Sequence, residues 1–285
     1  MLTETDLVLC SAPFPNTPFL DRLAPAAAAG FTGISIMPSD LFALEEQGVA
    51  ARDVAARVAD AGLHLAEMDC TACWMPRHAN QGGDDALSGL LRSLTAERVV
   101  AAAARIGARS VAAIDLAQTP ASLDEAAEGF AHVCDLAAEH GLLAHIEFLP
   151  VGGIRSLAQT WDIVQAAGRP NGGITLDSWH FFRSGSTLDQ LAAIPGHRIH
   201  TVQLSDAPRA AQADLWAELM TARLLPGEGD IDLIGLIRTL DAIGCTAPVG
   251  VEVFNIRQDA QTPAQIARDW SATARTVLSK ARGNP

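Results

Sequence analysis

The sequence predicts a single (β/α)8 barrel over residues 1–285, and three observations predict it. The length of 285 residues suits one barrel of roughly 250 residues with modest additions. Eight short apolar runs rich in Val, Ile and Leu read as parallel strands buried on both faces. Longer amphipathic stretches, most of them closed by glycine, alternate with those runs, as a barrel requires.

The strand candidates are Leu7–Ser11, Gly33–Met37, His64–Met68, Ser110–Asp115, Leu143–Phe148, Gly173–Asp177, Ile199–Leu204 and Val249–Phe254. Between them, helices are predicted over Thr17–Ala28, Ala51–Ala61, Ala96–Ile106 and Leu123–His140, then over Leu157–Ala167, Leu188–Ile194, Leu233–Ile243 and Pro263–Lys280. Gly62, Gly107, Gly141, Gly168 and Gly244 stand just past helix ends, where a left-handed residue stops the helix. Thr262 followed by Pro263 is a strong helix start. After the first strand comes Ala12-Pro13-Phe14-Pro15, with no glycine-rich phosphate loop, which argues against a doubly wound nucleotide fold. No linker or low-complexity segment divides the chain.

The formal net charge of −13 would repel a phosphate backbone, and no helix carries a basic stripe, so nucleic acid is not an expected partner. No run of about 18 apolar residues marks a membrane span. The start, Met1 to Asp6, lacks the basic residues of a signal peptide, so the cytosol is the expected compartment. Cys70 and Cys73 form a CxxC pair, but a zinc site would want a second pair, so these read as packing residues. An acidic barrel with a long C-terminal helix could self-associate.

In such a barrel, functional residues sit at the C-terminal ends of strands. Four successive strand ends carry metal-capable side chains: Glu147, Asp177, Gln203 and Glu252. Each acid lies among apolar residues, where an unpaired charge is costly. Lys and Arg are scarce beside these strands, so three converging carboxylates would repel one another. One divalent metal ion resolves that conflict, and oxygen ligands suit Mg²⁺ or Mn²⁺. Glu67 and Asp115 are weaker polar candidates at other strand ends. His145 and His200 read as interior histidines.

The stretches I-E-F-L-P at 146–150, L-D-S-W-H at 176–180, V-Q-L-S-D-A-P at 202–208, L-P-G-E-G at 225–229 and V-G-V-E-V-F at 249–254 resemble the sugar-phosphate isomerase/epimerase branch of the xylose-isomerase-like TIM barrels. The resemblance implies that Glu147, Asp177, Gln203 and Glu252 bind one divalent metal. Many relatives have His where this chain has Gln203, and a subset with Gln includes some dehydratases. An all-oxygen shell would then favour Mg²⁺ or Mn²⁺ over zinc. Many relatives also place an acid near Ser35 or Met37, and this chain has none there.

The resemblance further implies an isomerase or epimerase acting on a keto sugar or related polyol. It would remove a proton next to a carbonyl through a metal-stabilised enediolate, with Glu147 and Glu252 as the acid–base pair. The alternative is a dehydratase of a cyclic keto acid or keto-inositol such as 3-dehydroshikimate or inosose, with His180 as the acid for the departing hydroxyl. Arg223 is expected to clamp a polyhydroxylated or anionic substrate, with Glu228 orienting it and Trp74 walling the pocket. Asp206 is expected to shape the loop after strand seven. An apurinic-endonuclease type of barrel would need more His and acid ligands and a basic face, and the chain has neither. A non-catalytic barrel would have no use for both Glu147 and Glu252.

Overall fold

The computed structural model describes residues 2–14 and 17–283; Met1 and Pro15, used above, lie outside them. Eight parallel strands close into one barrel in sequence order, with β8 pairing back onto β1. In chain order the elements begin β1 (Leu7–Leu9), α1 (Phe19–Ala28), β2 (Gly33–Ile36), α2 (Pro38–Glu46), α3 (Ala51–Asp60) and β3 (His64–Thr71). They continue with α4 (Ala86–Ser93), α5 (Ala96–Ile106), β4 (Ser110–Ile114), α6 (Leu123–Ala138), β5 (Leu143–Glu147), α7 (Leu157–Ala167), β6 (Gly172–Asp177) and α8 (Ser178–Arg183). The chain closes with α9 (Leu188–Ala192), β7 (Ile199–Leu204), α10 (Leu215–Thr221), α11 (Leu233–Ala242), β8 (Val249–Val251) and α12 (Pro263–Arg282). No helix among the described residues is long and apolar enough to cross a membrane.

All eight predicted strands and all eight predicted helices are present, with ends that differ by a few residues. The helix signals act locally as expected. Gly107 and Gly168 stop α5 and α7 at φ 68° and 64°. Thr262 and Gln265 exchange side-chain and backbone bonds in a capping box over Pro263. The amphipathic face of α5 buries Val99, Val100, Ala102, Ala103 and Ile106. Alanine at two of these positions keeps the helix close to the barrel wall.

Four helices escaped the sequence reading: α2, α4, α8 and α10. All lie in the loops that follow strands β2, β3, β6 and β7, so they crown the C-terminal end of the barrel. They are six to nine residues long, and α4, α8 and α10 start from aspartate caps, Asp85, Asp177 and Asp214. At that length a 3.6-residue period has too few repeats to be read.

The inside of the barrel is not wholly apolar. His145 on β5 faces Thr175 on β6 through Nδ1 and Ser110 on β4 through Nε2, at 3.0 Å for the latter. Thr201 on β7 donates to Glu67 Oε2 on β3 at 3.0 Å. His200 faces the Ala144 carbonyl oxygen at 3.2 Å. Gly173 makes room for that ring, because a Cβ there would stand 2.6 Å from it. These residues form a hydrogen-bonded layer below the site. Each residue finds a partner on another strand, with Glu67 Oε1 alone among them left unpaired, which avoids most of the cost of their burial.

Candidate metal centre and active site

Strand pairing places the four strand-end residues at one level. Glu147 pairs with Thr175, and Asp177 pairs with Gln203. Gln203 pairs with Gly250, so Glu252 follows two residues later on the same face of its chain. All four are buried, at 6, 0, 1 and 3% exposure for Glu147, Asp177, Gln203 and Glu252.

Asp177 serves a second purpose. It N-caps α8, its Oδ1 accepting the His180 amide at 2.7 Å. One helical turn then folds His180 back over the strand end, where its Nε2 comes 3.2 Å from Glu147 Oε1. One ligand atom from each of Glu147, Asp177 and His180 lies within 4.8 Å of the others. The spacing D-S-W-H therefore makes His180 a central member of the site.

Arg223 is not at the mouth of the pocket. Its guanidinium is 1% exposed, and Nη1 donates to Asp177 Oδ2 at 2.8 Å and to Glu252 Oε2 at 3.2 Å. Nη2 faces His180 Nε2 at 3.4 Å, and Nε donates to the Leu219 carbonyl at 3.3 Å. The group also lies between the Trp179 and Phe254 rings, 5.3 and 5.2 Å from their centroids. These partners take up most of the fork, so among the described residues Arg223 acts as an internal counter-charge to Asp177 and Glu252. The scarcity of cations beside the strands was misleading because Arg223 comes from the loop after β7.

That loop is built on Asp206. Its Oδ1 accepts the amides of Ala207 and Ile231, at 2.8 and 3.0 Å, and its Oδ2 accepts Gly227 at 2.9 Å. Backbone bonds join Asp206 to Leu224 in both directions, and the Arg223 amide donates to the Phe254 carbonyl at 3.0 Å. Glu218, 1% exposed, ties α8 to α10 by accepting from Trp179 Nε1 at 3.0 Å and Arg183 Nε at 2.6 Å. Glu218 was absent from the sequence reading because α10 was. Glu228 is exposed at the turn, and among the described residues no contact joins its carboxylate to Arg223. Trp74 is 5% exposed; its indole donates to the Ile114 carbonyl at 2.7 Å and packs edge-on to Phe130. Glu228 thus stands in solvent away from Arg223, and Trp74 packs in the wall with its indole N–H bonded to the backbone.

Asp115 lies fully buried under Arg77 at 2.6 Å and His78 at 3.1 Å, where it anchors the loop after β4. The cysteines Cys70 and Cys73 are both free. The strand β3 was expected to end at Met68 and runs on to Thr71, which adds Asp69 to the polar surface of the barrel. The alternation Glu67-Met68-Asp69 was the signal that could have shown it.

The acids outnumber their cation. Burial, with Asp177 close by, pushes the Glu147 carboxyl up to about 8 against the pull of Arg223. Burial also raises Glu252 well above the carboxylate range, although Arg223 opposes it. Burial drives His180 down to about 4. Two polar atoms in the same place have no partner among the described residues: Gln203 Oε1 and His180 Nδ1. The Gln203 amide donates only a long bond, 3.4 Å, to Glu252 Oε1. A lone carbonyl oxygen beside excess carboxylates is the donor set of a hard cation, and a divalent ion fits it.

This charge balance has a consequence for stability. A carboxyl at 4.5 in the unfolded chain and about 8 when folded favours folding fully only below 4.5. Its contribution is lost as pH rises through that window. His180 has the opposite sign and loses its contribution as pH falls from 6.5 towards about 4. Metal-free protein is therefore expected to unfold at lower temperature at about pH 8 than at about pH 5.5. Added Mn²⁺ should raise the melting temperature more at the higher pH, where protons no longer compete for the same oxygens. Thermal unfolding at both pH values checks this, and a metal-induced shift independent of pH would contradict it.

Over 242 residues the chain is 32% identical to the 3-dehydroshikimate dehydratase of Pseudomonas aeruginosa, covering 82% of this chain and 36% of that protein. It is 30% identical over 182 residues to an inosose isomerase of Bacillus velezensis, covering 61% of this chain and 64% of the isomerase. The chain thus spans about a third and somewhat under two thirds of the lengths of these two relatives. The solved structure of the IOLI protein with a binding zinc atom superposes with a TM-score of 0.83 at 20% identity, over 97% of this chain and 99% of that one, a likeness of fold. The xylose isomerase-like TIM barrel description matches residues 23–274, and the chain belongs to that family.

Proposed function

We propose that this chain is a divalent-metal-dependent enzyme that removes a proton next to the carbonyl of a cyclic, polyhydroxylated keto acid and then expels water, a dehydratase of the 3-dehydroshikimate class. One observation carries the reading: Glu147, Asp177, His180, Gln203 and Glu252 converge in a buried site whose carboxylates exceed the single charge of Arg223. The 32% identity to a dehydratase over 82% of the chain supports dehydration ahead of isomerisation. The presence of Gln203 agrees with that order.

Glu147, Asp177, Gln203 and Glu252 would hold the ion, and His180 is close enough to join them. A nitrogen in the shell widens the choice from Mg²⁺ and Mn²⁺ to include zinc, the metal of the IOLI structure. When bound, the cation supplies a Lewis acid that polarises a substrate carbonyl. The chain's own residues do the rest. Strands β5 and β8 stand three places apart around the barrel, so Glu147 and Glu252 approach a substrate from different sides. One of them takes the proton from carbon, and the burial of both excludes water that would compete for it. Arg223 holds the Asp177 and Glu252 carboxyls in place through its Nη1.

An isomerase of a keto sugar or keto-inositol is the second reading. It is favoured by the 30% identity to inosose isomerase and by a second carboxylate able to return the proton. Mn²⁺-loaded protein incubated in D₂O with 3-dehydroshikimate, keto-inositols and keto sugars separates the two. Loss of water from the keto acid supports the dehydratase, and label uptake with a rearranged product supports the isomerase. No exchange with any of them would sink both.

A further inference from the structure

Glu147, Asp177 and Gln203 are held by the barrel itself, since each lies on a strand. Glu252 is held as firmly, because its amide donates to the Leu204 carbonyl at 3.0 Å. His180 is different. It rides on α8, a helix of six residues. The barrel anchors the start of that helix: Ser178 Oγ donates to the Ser205 carbonyl at 2.7 Å and accepts the Ser205 amide at 2.9 Å. A helix so short does not hold itself together in water, so its far end needs a second anchor.

That anchor is Glu218 on α10, a carboxyl group buried at 1% exposure. Its Oε1 accepts from Trp179 Nε1 at 3.0 Å and from Arg183 Nε at 2.6 Å, so it grips α8 on both sides of His180 in the sequence. Its Oε2 accepts the Gln212 amide at 2.6 Å. Arg183 Nη2 reaches the Pro208 carbonyl at 2.7 Å, which fastens the segment after β7 to the same point. The gripped Trp179 ring stands edge-on to the His180 ring, 5.3 Å between centroids, and so backs it. A buried ion pair adds little stability over apolar residues of the same volume. What this one adds is direction, because two oxygens must meet three donors from two segments at once.

Resting on the dehydratase reading, we propose that Glu218 is a positioning residue for the reaction: by holding Trp179 and Arg183 it fixes α8 and sets the His180 ring over Glu147. Glu218 acts through its neighbours. The Asp177 cap fixes where α8 begins, the Glu218 grip fixes its course, and the two together bring His180 Nε2 to 3.2 Å from Glu147 Oε1. Misplacing a reacting group by 1 Å can cost about 100-fold in rate, so a residue remote from the chemistry can govern it.

Glu218→Gln keeps the size of the side chain and one acceptor oxygen, and removes the charge that pairs with Arg183. Turnover of 3-dehydroshikimate by the Mn²⁺-loaded variant should fall about 10- to 100-fold, the usual cost of losing a group that orients a site residue. Two readouts separate positioning from a merely structural role. In chelated protein with ¹⁵N-labelled histidine, the His180 ring resonances, identified by their absence in His180→Ala, should shift in Glu218→Gln while those of His145 and His200 stay in place. In the double variant, adding Glu218→Gln to His180→Ala should cost less than about two-fold in turnover, because the residue being positioned is already gone. Should Glu218→Gln not fold, Arg183→Gln breaks the same ion pair from the other side and is read in the same way. Unmoved His180 resonances in a folded variant, turnover within a few-fold of wild type, or losses that multiply in the double variant would overturn the proposal. A metal-loaded wild type that does not turn over 3-dehydroshikimate would instead sink the dehydratase reading, and the role of Glu218 in that reaction with it, wherever the resonances lie.

Discussion

Replacing Arg223 with alanine is expected to destabilise the metal-free protein by about 3–5 kcal/mol, the usual cost of removing one partner from a buried ion pair. The guanidinium is 1% exposed and bridges Asp177 and Glu252, both of which would be left without a cation. It also fills the space between Trp179 and Phe254, so packing is lost along with charge. Saturating Mn²⁺ should recover part of the loss, because a second cation neutralises the same oxygens. Urea unfolding with chelator and with metal measures both effects. A variant as stable as wild type in chelator would show that Arg223 is not the counter-charge of the site.

Glu252→Gln is the second large effect. The substitution keeps the size of the side chain and removes its charge and its basicity. Turnover should fall by about 10²–10⁴-fold, the range of general acid–base catalysis. Affinity for the divalent ion should fall as well, since one anionic oxygen leaves the donor set. Folding should be retained, because Arg223 keeps its 2.8 Å bond to Asp177. Steady-state turnover together with metal content per chain tests this. Turnover within a few-fold of wild type would remove Glu252 from the chemistry.

The frame was legible in the sequence because each part of it is written in a local signal. Apolar runs made the strands, and glycine stops such as Gly107 and Gly168 ended the helices that separate them. The rule that barrel chemistry sits at strand ends then singled out Glu147, Asp177, Gln203 and Glu252 before any contact was known. What the sequence did not show shares one cause, which is that loop residues have no period to reveal where they go. The turns set by Asp206 carry Arg223 from the loop against Asp177 and Glu252, a contact that its position in the sequence did not reveal. Glu228, five residues later, lies in solvent for the same reason. Asp69 was passed over because Cys70 and Thr71 do not read as strand, although β3 continues through them. His180 was expected as an acid just past its strand, and the cap made by Asp177 is what folds it back to 3.2 Å from Glu147.

A divalent ion held by the ends of strands β5 to β8 is tested most simply by a metal titration. Protein stripped with chelator and titrated calorimetrically with Mn²⁺ should bind one ion per chain. That binding should be lost or strongly weakened in Glu147→Gln and Asp177→Asn variants that still fold. Failure of the folded wild-type chain to bind Mn²⁺, Mg²⁺ or Zn²⁺ under any loading would contradict the account.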